Sequence, residues 1–142
     1  MDIPDACKDV VKSIENIKLL NRDIIIKNVK VSATEYSSRP ICQIELTDST
    51  TEYLKNSIPG AEYVTSYIEY DPVSKLVKSI SFNRILPTGY FEMVVPTQCK
   101  EYLDTYCEIA VDVAKSMVTF NARNIGTIKD IKELITDFYG KF

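Results

Sequence analysis

Two strand-like segments joined by a four-residue turn are the feature that most constrains the fold of this chain. Residues 61–70 and 75–85 flank Asp71-Pro72-Val73-Ser74, and this arrangement predicts a β-hairpin. The second strand is predicted to have an apolar side and a mostly polar side, with Leu76, Ile80 and Phe82 on one and Val77, Ser79, Ser81 and Asn83 on the other. The polar side can face solvent, which is compatible with a monomer.

Three further segments are predicted to be strands, at residues 23–33, 41–47 and 90–95. In the second of them Cys42, Ile44 and Leu46 face one way and Gln43 and Glu45 the other, while residues 37–40 are predicted to form a turn or loop. Because the strands are joined by short links instead of helical crossovers, we expect a mainly antiparallel sheet of five strands.

Helical periodicity predicts an N-terminal helix over residues 3–20 and a short helical turn at 50–56. Two C-terminal helices are predicted at 98–121 and 128–139, and Thr127 with Asp130 approximates a capping box for the last one. The sequence therefore predicts an α+β fold in which one N-terminal and two C-terminal helices pack on a five-stranded sheet. With no linker and no internal repeat, residues 1–142 are expected to form a single domain.

Composition excludes several classes of protein. The apolar runs are far shorter than the roughly 20 residues of a spanning helix, and the acidic N-terminus lacks the apolar segment of a secretion signal. We therefore expect no membrane contact. The four cysteines could form two disulfides, but without a secretion signal the reducing interior of a cell is favoured, where the cysteines would be free and would act as small buried hydrophobes. A formal net charge of −3 makes nucleic-acid binding an unfavoured function.

Catalytic motifs are absent from the sequence. The chain has no histidine, which excludes Ser-His-Asp and Cys-His nucleophiles and any histidine-ligated metal. Its four glycines are too dispersed for a phosphate-binding loop. We predict no enzymatic activity, catalytic residue, metal site or cofactor, although catalysis by carboxylate, tyrosine or lysine groups stays an alternative.

An acidic strip is predicted on the long helix. Glu101, Asp104, Glu108 and Asp112 would form one row turned away from the apolar stripe of residues 98–121. Like charges at this spacing destabilise a helix by about 0.2–0.5 kcal/mol per pair, so the strip is a candidate surface for a basic partner. It could also bind a divalent cation, but a straight row of carboxylates would need further ligands from elsewhere to surround the ion. The alternative is an ordinary solvated helix face.

Tyrosines form the second candidate surface. The chain has nine tyrosines and no tryptophan. Tyr63 and Tyr67 are predicted on the same face of one strand and Tyr70 on the other. A tyrosine offers a large apolar body with a polar tip, which suits protein interfaces, and the alternative is cross-strand packing within the sheet.

Two resemblances accompany these patterns. The element order from Asp23 onward resembles the SecB export chaperone family, and Gly89-Tyr90-Phe91 is similar to the glycine and aromatic pair that opens a late strand there. The whole chain also resembles the small tail-terminator and neck proteins of tailed bacteriophages, which assemble into rings and lack a catalytic motif. These resemblances imply protein partners.

The function predicted from the sequence is a non-enzymatic assembly subunit, a component of a viral or other oligomeric complex. It would bind protein partners as a homo- or hetero-oligomer, in the cytoplasm of a host cell or in a virion. The alternatives are a SecB-like chaperone or a small inhibitor that binds a client protein.

Overall fold

The computed structural model describes residues 2–34, 37–86 and 106–140, apart from the side chains of residues 34, 37 and 38. Within these residues the fold is α+β, as predicted, with one antiparallel sheet and helices of both chain ends on it. The strands are β1 (Ile24–Thr34), β2 (Ser37–Asp48), β3 (Ser66–Asp71), β4 (Leu76–Ile85), β5 (Tyr106–Asp112) and β6 (Met117–Gly126). The helices are α1 (Lys8–Glu15), α2 (Ser49–Leu54) and α3 (Ile128–Tyr139), with single 3₁₀ turns at Asp5–Cys7 and Lys55–Ser57.

Six described strands form the sheet, in the order β1-β2-β3-β4-β6-β5, so the prediction of five strands was wrong. Every neighbouring pair is antiparallel. Residues 37–40, predicted as a turn, extend β2 instead, because they pair with the end of β1. The predicted strand at 90–95 and the Gly89-Tyr90-Phe91 segment lie outside the described residues.

The predicted long helix over 98–121 was wrong wherever the structure describes it. Residues 106–112 and 117–126 pair as the β5–β6 hairpin, and β6 also pairs with β4. In this hairpin Cys107 and Ile109 alternate with exposed neighbours, and their partners on β6, Ala122 and Phe120, are buried. The apolar residues therefore satisfy a period of two as well as the helical period, and sheet pairing decides between them. One C-terminal helix, α3, is described instead of the two predicted.

The main core lies between one face of the sheet and helices α1 and α3. The buried side chains of α1 are Val10, Val11 and Ile14, and those of α3 are Ile131, Leu134, Ile135 and Tyr139. From β2, Cys42, Ile44 and Leu46 face this core while Gln43 and Glu45 face away, as the alternation predicted. Helix α1 is shorter than the predicted span of 3–20. It begins at Lys8 and ends at Glu15, with Asn16 as its C-cap, and residues 16–23 lead into β1.

A disulfide bond joins the N-terminal segment to the sheet. Cys7, in the first 3₁₀ turn, is bonded to Cys42 on β2, with a Cα–Cα distance of 5.8 Å. Cys107 is disulfide-bonded as well. The expectation of free cysteines was therefore wrong, because folding brings distant cysteines together in a way that their spacing in the chain does not reveal. Both sulfurs of the Cys7–Cys42 bond lie within the main core.

The last helix begins as its sequence predicts. The Asp130 carboxylate accepts hydrogen bonds from the backbone N–H of Thr127 at 2.8 Å and from its hydroxyl at 3.1 Å. Gly126 precedes this cap with a φ of 111°, and a side chain there would collide with the Asp130 carboxylate. The cap and the glycine together turn the chain from β6 onto the core face of the sheet.

Candidate binding surface

The middle of the sheet face opposite α1 and α3 is polar across all six described strands. Two rows of directly paired residues cross it, and every member is exposed or half-buried. One row is Lys30, Gln43, Glu69, Ser79, Arg123 and Tyr106, and the other is Asn28, Glu45, Tyr67, Ser81, Asn121 and Glu108. We call these twelve residues the open face. Because neighbouring side chains on a strand point to opposite sides, this polar surface is the direct counterpart of the buried one.

A shallow cavity of about 360 Å³ occupies the β1–β3 part of the open face. It is lined by Asn28, Lys30, Gln43, Glu45, Tyr67, Ile68 and Glu69. We call it the β1–β3 cavity. Its charged lining groups are one ammonium and two carboxylates, so its formal charge is negative.

A second cavity, of about 300 Å³, lies where the segment between α2 and β3 meets the open face. Its lining residues are Gly60, Tyr63, Val64, Thr65, Tyr67, Asn83, Lys115 and Met117. We call it the corner cavity. Tyr67 lines both cavities and therefore stands on the boundary between them.

A small second core holds the corner cavity in shape. Ala61 and Val64 are buried against Ile85 of β4, with Ile58 and Met117 packed at the edge. This apolar contact fixes residues 58–65 on the open-face side of the sheet. Tyr63 is carried on this segment and remains 88% exposed.

Two hydrogen bonds fix the Asn83 amide in the lining of the corner cavity. Its Nδ2 donates to the carbonyl oxygen of Thr65 at 2.7 Å, and its Oδ1 accepts from the hydroxyl of Thr119 at 2.7 Å. The amide thus links the segment before β3 to β4 and β6. Its orientation is set, and one Nδ2 hydrogen is left to donate.

Lys115 also lines the corner cavity. It belongs to the turn between β5 and β6, and its side chain lies across Gly60, whose φ is +81°. A Cβ on Gly60 would stand 3.2 Å from the Lys115 Cε and 3.6 Å from its Nζ, so glycine supplies the backbone conformation and leaves space for the lysine. Lys115 is half-buried, and the salt bridges found among the described residues do not include its ammonium group.

At the β5 edge, three open-face side chains contact each other. The Tyr106 hydroxyl donates to a Glu108 carboxylate oxygen at 2.8 Å, and the Arg123 guanidinium lies 4.7 Å from the centre of the Tyr106 ring. The hydrogen bond to Glu108 and the charge of that carboxylate raise the pKa of Tyr106. The phenol therefore stays protonated and acts as a donor here.

The predicted acidic strip is not a helical row. Glu101 and Asp104 lie outside the described residues, while Glu108 and Asp112 lie on β5. Because side chains four apart on a strand share a face, these two do point to the same side, although no helix places them there. Glu108 bonds to Tyr106, and the Asp112 Oδ1 accepts the backbone N–H of Lys115 at 3.2 Å.

The structure places the two predicted interface tyrosines, Tyr63 and Tyr67, on different segments. Tyr67 is 48% exposed on β3 and Tyr70 is buried, as the alternation predicted. Tyr63 precedes β3 and lies in a turn, so the two tyrosines do not share a strand. They nevertheless line the same corner cavity.

Sequence reasoning missed Lys115, Asn83 and Gly60 as members of one site. Lys115 fell within the predicted long helix, and Pro59-Gly60 indicated only a break in the chain after the short helical turn at 50–56. Residues 60, 83 and 115 are far apart in the chain. The pairing of β4 with β6 and the packing of Ala61 and Val64 on Ile85 bring their segments together. The Pro-Gly pair was the one local signal, since it predicts a turn.

A polar cluster also lies in the interior, on the side of the sheet that faces the helices. Arg22 and Asp48 form a salt bridge of 3.4 Å, and Arg84 donates to the carbonyl oxygen of Phe138 at 2.9 Å. Burial, aided by the charge of Arg22, lowers the pKa of Arg84 to about 10. Because all three charged side chains are buried, the cluster joins α3 to the sheet and offers no open site.

Among residues 2–34, 37–86 and 106–140, no group of three acidic or cysteine side chains is arranged to hold a metal ion. No helix in this part of the chain is both long and apolar enough to cross a membrane. Comparison with known proteins returned no match for the chain among protein-family models, curated sequences or solved structures. The virion and chaperone interpretations of the sequence therefore stay predictions.

Proposed function

We propose that this chain is a non-catalytic protein-binding subunit that holds its partner against the open face and the corner cavity. The observation that carries the proposal is the position of Tyr67, which stands half-exposed between two cavities on a polar sheet face. The other sheet face is filled by the main core, so the open face is the broad side of the sheet left to a partner.

The tyrosines support this proposal. Tyr63 and Tyr67 are 88% and 48% exposed, and they present apolar rings beside polar groups on one side of the molecule. Aromatic residues are enriched at protein interfaces because a ring buries much area while losing few rotatable bonds. Tyr106 adds a third half-exposed ring at the far edge of the open face, where Arg123 stacks on it.

The rigidity of the surface supports the proposal as well. Open-face side chains stand on paired strands, and the corner cavity is held by the second core and the Asn83 hydrogen bonds. A surface that is already ordered loses less conformational entropy when a partner binds.

The Cys7–Cys42 bond favours an oxidising environment for this subunit, because disulfides persist where thiols are not kept reduced. The cytoplasmic location predicted from the N-terminal residues would expose the bond to reducing thiols. We therefore propose an oxidising compartment or an extracellular surface as the place where the partner is met.

Site-specific photo-crosslinking tests the proposed function. Benzoylphenylalanine would replace Tyr67, Tyr63 or, as a control on the outer side of α3, the exposed Lys132. Each variant would be expressed in its native host and irradiated, and crosslinked species would be identified by mass spectrometry. We expect one and the same protein to be captured from positions 67 and 63 and not from position 132.

The captured protein would then be purified and titrated against the unmodified chain. Tyr67→Ala is expected to weaken binding by about tenfold or more, as truncation of a central interface aromatic does. Capture from position 132 equal to that from position 67, or no capture from either tyrosine, would contradict the proposal. Capture of a second copy of this chain would mean that the open face binds another copy in a homo-oligomer.

A further inference from the structure

We infer that the corner cavity takes an acidic side chain of the partner, an aspartate or glutamate carboxylate, with Lys115 as its counter-ion. The inference rests on the proposed function and specifies which chemical group of the partner this site binds. Its basis is the contrast between the two cavities that share Tyr67.

The lining of the corner cavity carries hydrogen-bond donors and no carboxylate. Its charged group is the Lys115 ammonium, and its other polar side chains are the amide of Asn83 and the hydroxyls of Tyr63, Tyr67 and Thr65. The Asn83 Oδ1 is already used as an acceptor by Thr119, so the amide presents its remaining Nδ2 hydrogen. A group with several acceptor oxygens and a negative charge is the complement of this set.

The position of Lys115 distinguishes it from surface lysines. Its side chain is half-buried across Gly60, so part of the entropy of ordering the ammonium is already lost before a ligand arrives. By comparison, Lys27 and Lys55 both contact the Glu52 carboxylate, at 3.2 and 2.9 Å, and are neutralised within the protein. The nearest acidic residue in the Lys115 turn, Asp112, accepts the backbone N–H of Lys115 and makes no salt bridge with its ammonium.

The β1–β3 cavity has the opposite character. Glu45 and Glu69 line it with Lys30, so a carboxylate entering there would meet two like charges. The two cavities therefore favour groups of opposite charge on either side of Tyr67. An acidic side chain of the partner is directed to the corner cavity by this asymmetry.

An NMR titration that needs no partner tests the inference. The ¹⁵N-labelled chain would be titrated with the capped tripeptide acetyl-Gly-Glu-Gly-amide and, separately, with acetyl-Gly-Gln-Gly-amide, which has the same shape without the charge. We expect the Glu peptide to shift the amide signals of Gly60, Tyr67 and Lys115 with millimolar affinity, and the Gln peptide to bind at least about tenfold more weakly.

Three variants separate charge from folding. Lys115→Met keeps the aliphatic packing over Gly60 but removes the charge, and we expect it to abolish the preference for the Glu peptide. Lys115→Arg keeps the charge and should retain the preference. Lys132→Met, on α3, should leave the preference unchanged. Overlay of the remaining amide signals on those of the parent chain would verify that each variant is folded. Equal shifts by the Glu and Gln peptides, or a preference that survives Lys115→Met, would overturn the inference.

The two proposals fail in distinguishable ways. If crosslinking at Tyr67 captures a partner whose affinity is the same for Lys115→Met as for the parent chain, the function stands and the acidic-group inference falls. If no partner is captured, the protein-binding function falls, whereas the peptide titration still decides what group the corner cavity prefers.

Discussion

Single aspartates organise both of the short hairpin turns in the described chain. Asp71, the last residue of β3, accepts the backbone N–H groups of Val73 and Ser74 at 2.9 and 3.2 Å. Asp112, the last residue of β5, accepts that of Lys115 at 3.2 Å. Each turn then closes through a residue with positive φ, Lys75 at 61° and Ser116 at 48°. The aspartate orders each turn by accepting its backbone N–H groups, while Lys75 and Ser116 adopt the positive φ that glycine often supplies in such turns.

The lowered pKa of Asp71 predicts how the stability of the fold depends on pH. Although burial would raise the pKa of Asp71, hydrogen bonds from Ser74 and Val73 and the charge of Arg39 hold it below its usual value of 3.8. The ionised carboxylate therefore stabilises the fold above about pH 4, and this contribution is lost as the pH falls through the lowered pKa.

We expect Asp71→Asn to reduce the free energy of unfolding by about 1–2 kcal/mol at pH 7 and to have a smaller effect below pH 3. Urea titrations between pH 7 and 2.5 would measure this, with Asp2→Asn at an exposed position as the matched control. A difference between Asp71→Asn and the parent chain that stays constant across this range would contradict the assignment.

The β5–β6 hairpin is the element whose sequence was hardest to interpret. Its apolar residues fit a helical spacing of three and four, and its turn, residues 113–116, contains neither glycine nor proline. The signal that could have identified it is the parallel with the β3–β4 hairpin. In both, an aspartate ends one strand and, after four turn residues, an apolar residue begins the next, Leu76 in one hairpin and Met117 in the other.

Helix α1 depends on a covalent link as well as on packing. It has eight residues, too few for an isolated helix to be stable in water, and Cys7 immediately precedes it. The bond from Cys7 to Cys42 spans a sequence separation of 35 residues and holds the helix against β2.

Removal of this bond in Cys7→Ala/Cys42→Ala is expected to lower the free energy of unfolding by about 3–4 kcal/mol, because the unfolded chain regains the entropy of an open loop. Chemical denaturation without reductant would measure the loss. The double alanine variant is preferable to reduction, since Cys107 is also disulfide-bonded and a reductant would act on both bonds. A variant as stable as the parent chain would show that the link is dispensable.

At the scale of the whole molecule, the two faces of the sheet differ in character. Helices α1 and α3 cover one face, and the open face presents polar side chains in both of its central rows. Neighbouring residues on β4 show this division directly, since Phe82 is fully buried among Phe120, Phe138 and Tyr139 while Ser81 is half-buried on the open face.

Two substitutions on β4 test this sidedness. Phe82→Ala is expected to reduce the free energy of unfolding by about 3–5 kcal/mol, because it opens a cavity in the core, whereas Ser81→Ala should change it by less than about 0.5 kcal/mol. Thermal and urea unfolding of both variants would measure the difference. Losses of similar size would mean that the open face is packed as tightly as the core.

Local patterns in the sequence were enough to predict several elements. The alternation in 41–47, the hairpin at Asp71-Pro72-Val73-Ser74, the short helix at 50–56 and the capped last helix are all found close to their predicted positions. Each depends on residues near one another in the chain. The sides of the first residues of β4 could not be predicted in this way. A bulge between Val77 and Ser79 turns Val77 into the core and leaves Leu76 41% exposed.

By itself, the sequence determined the α+β class, the antiparallel connections and the polar and apolar sides of β2, β3 and the later part of β4, because period and turn chemistry are local properties. The tertiary structure decided that residues 106–126 form strands, that Cys7 meets Cys42, and that Lys115, Asn83 and Tyr67 share one cavity. These outcomes depend on pairing between residues distant in the chain. For an apolar segment that suits both helix and strand, the free energy of sheet pairing and burial selects the strand.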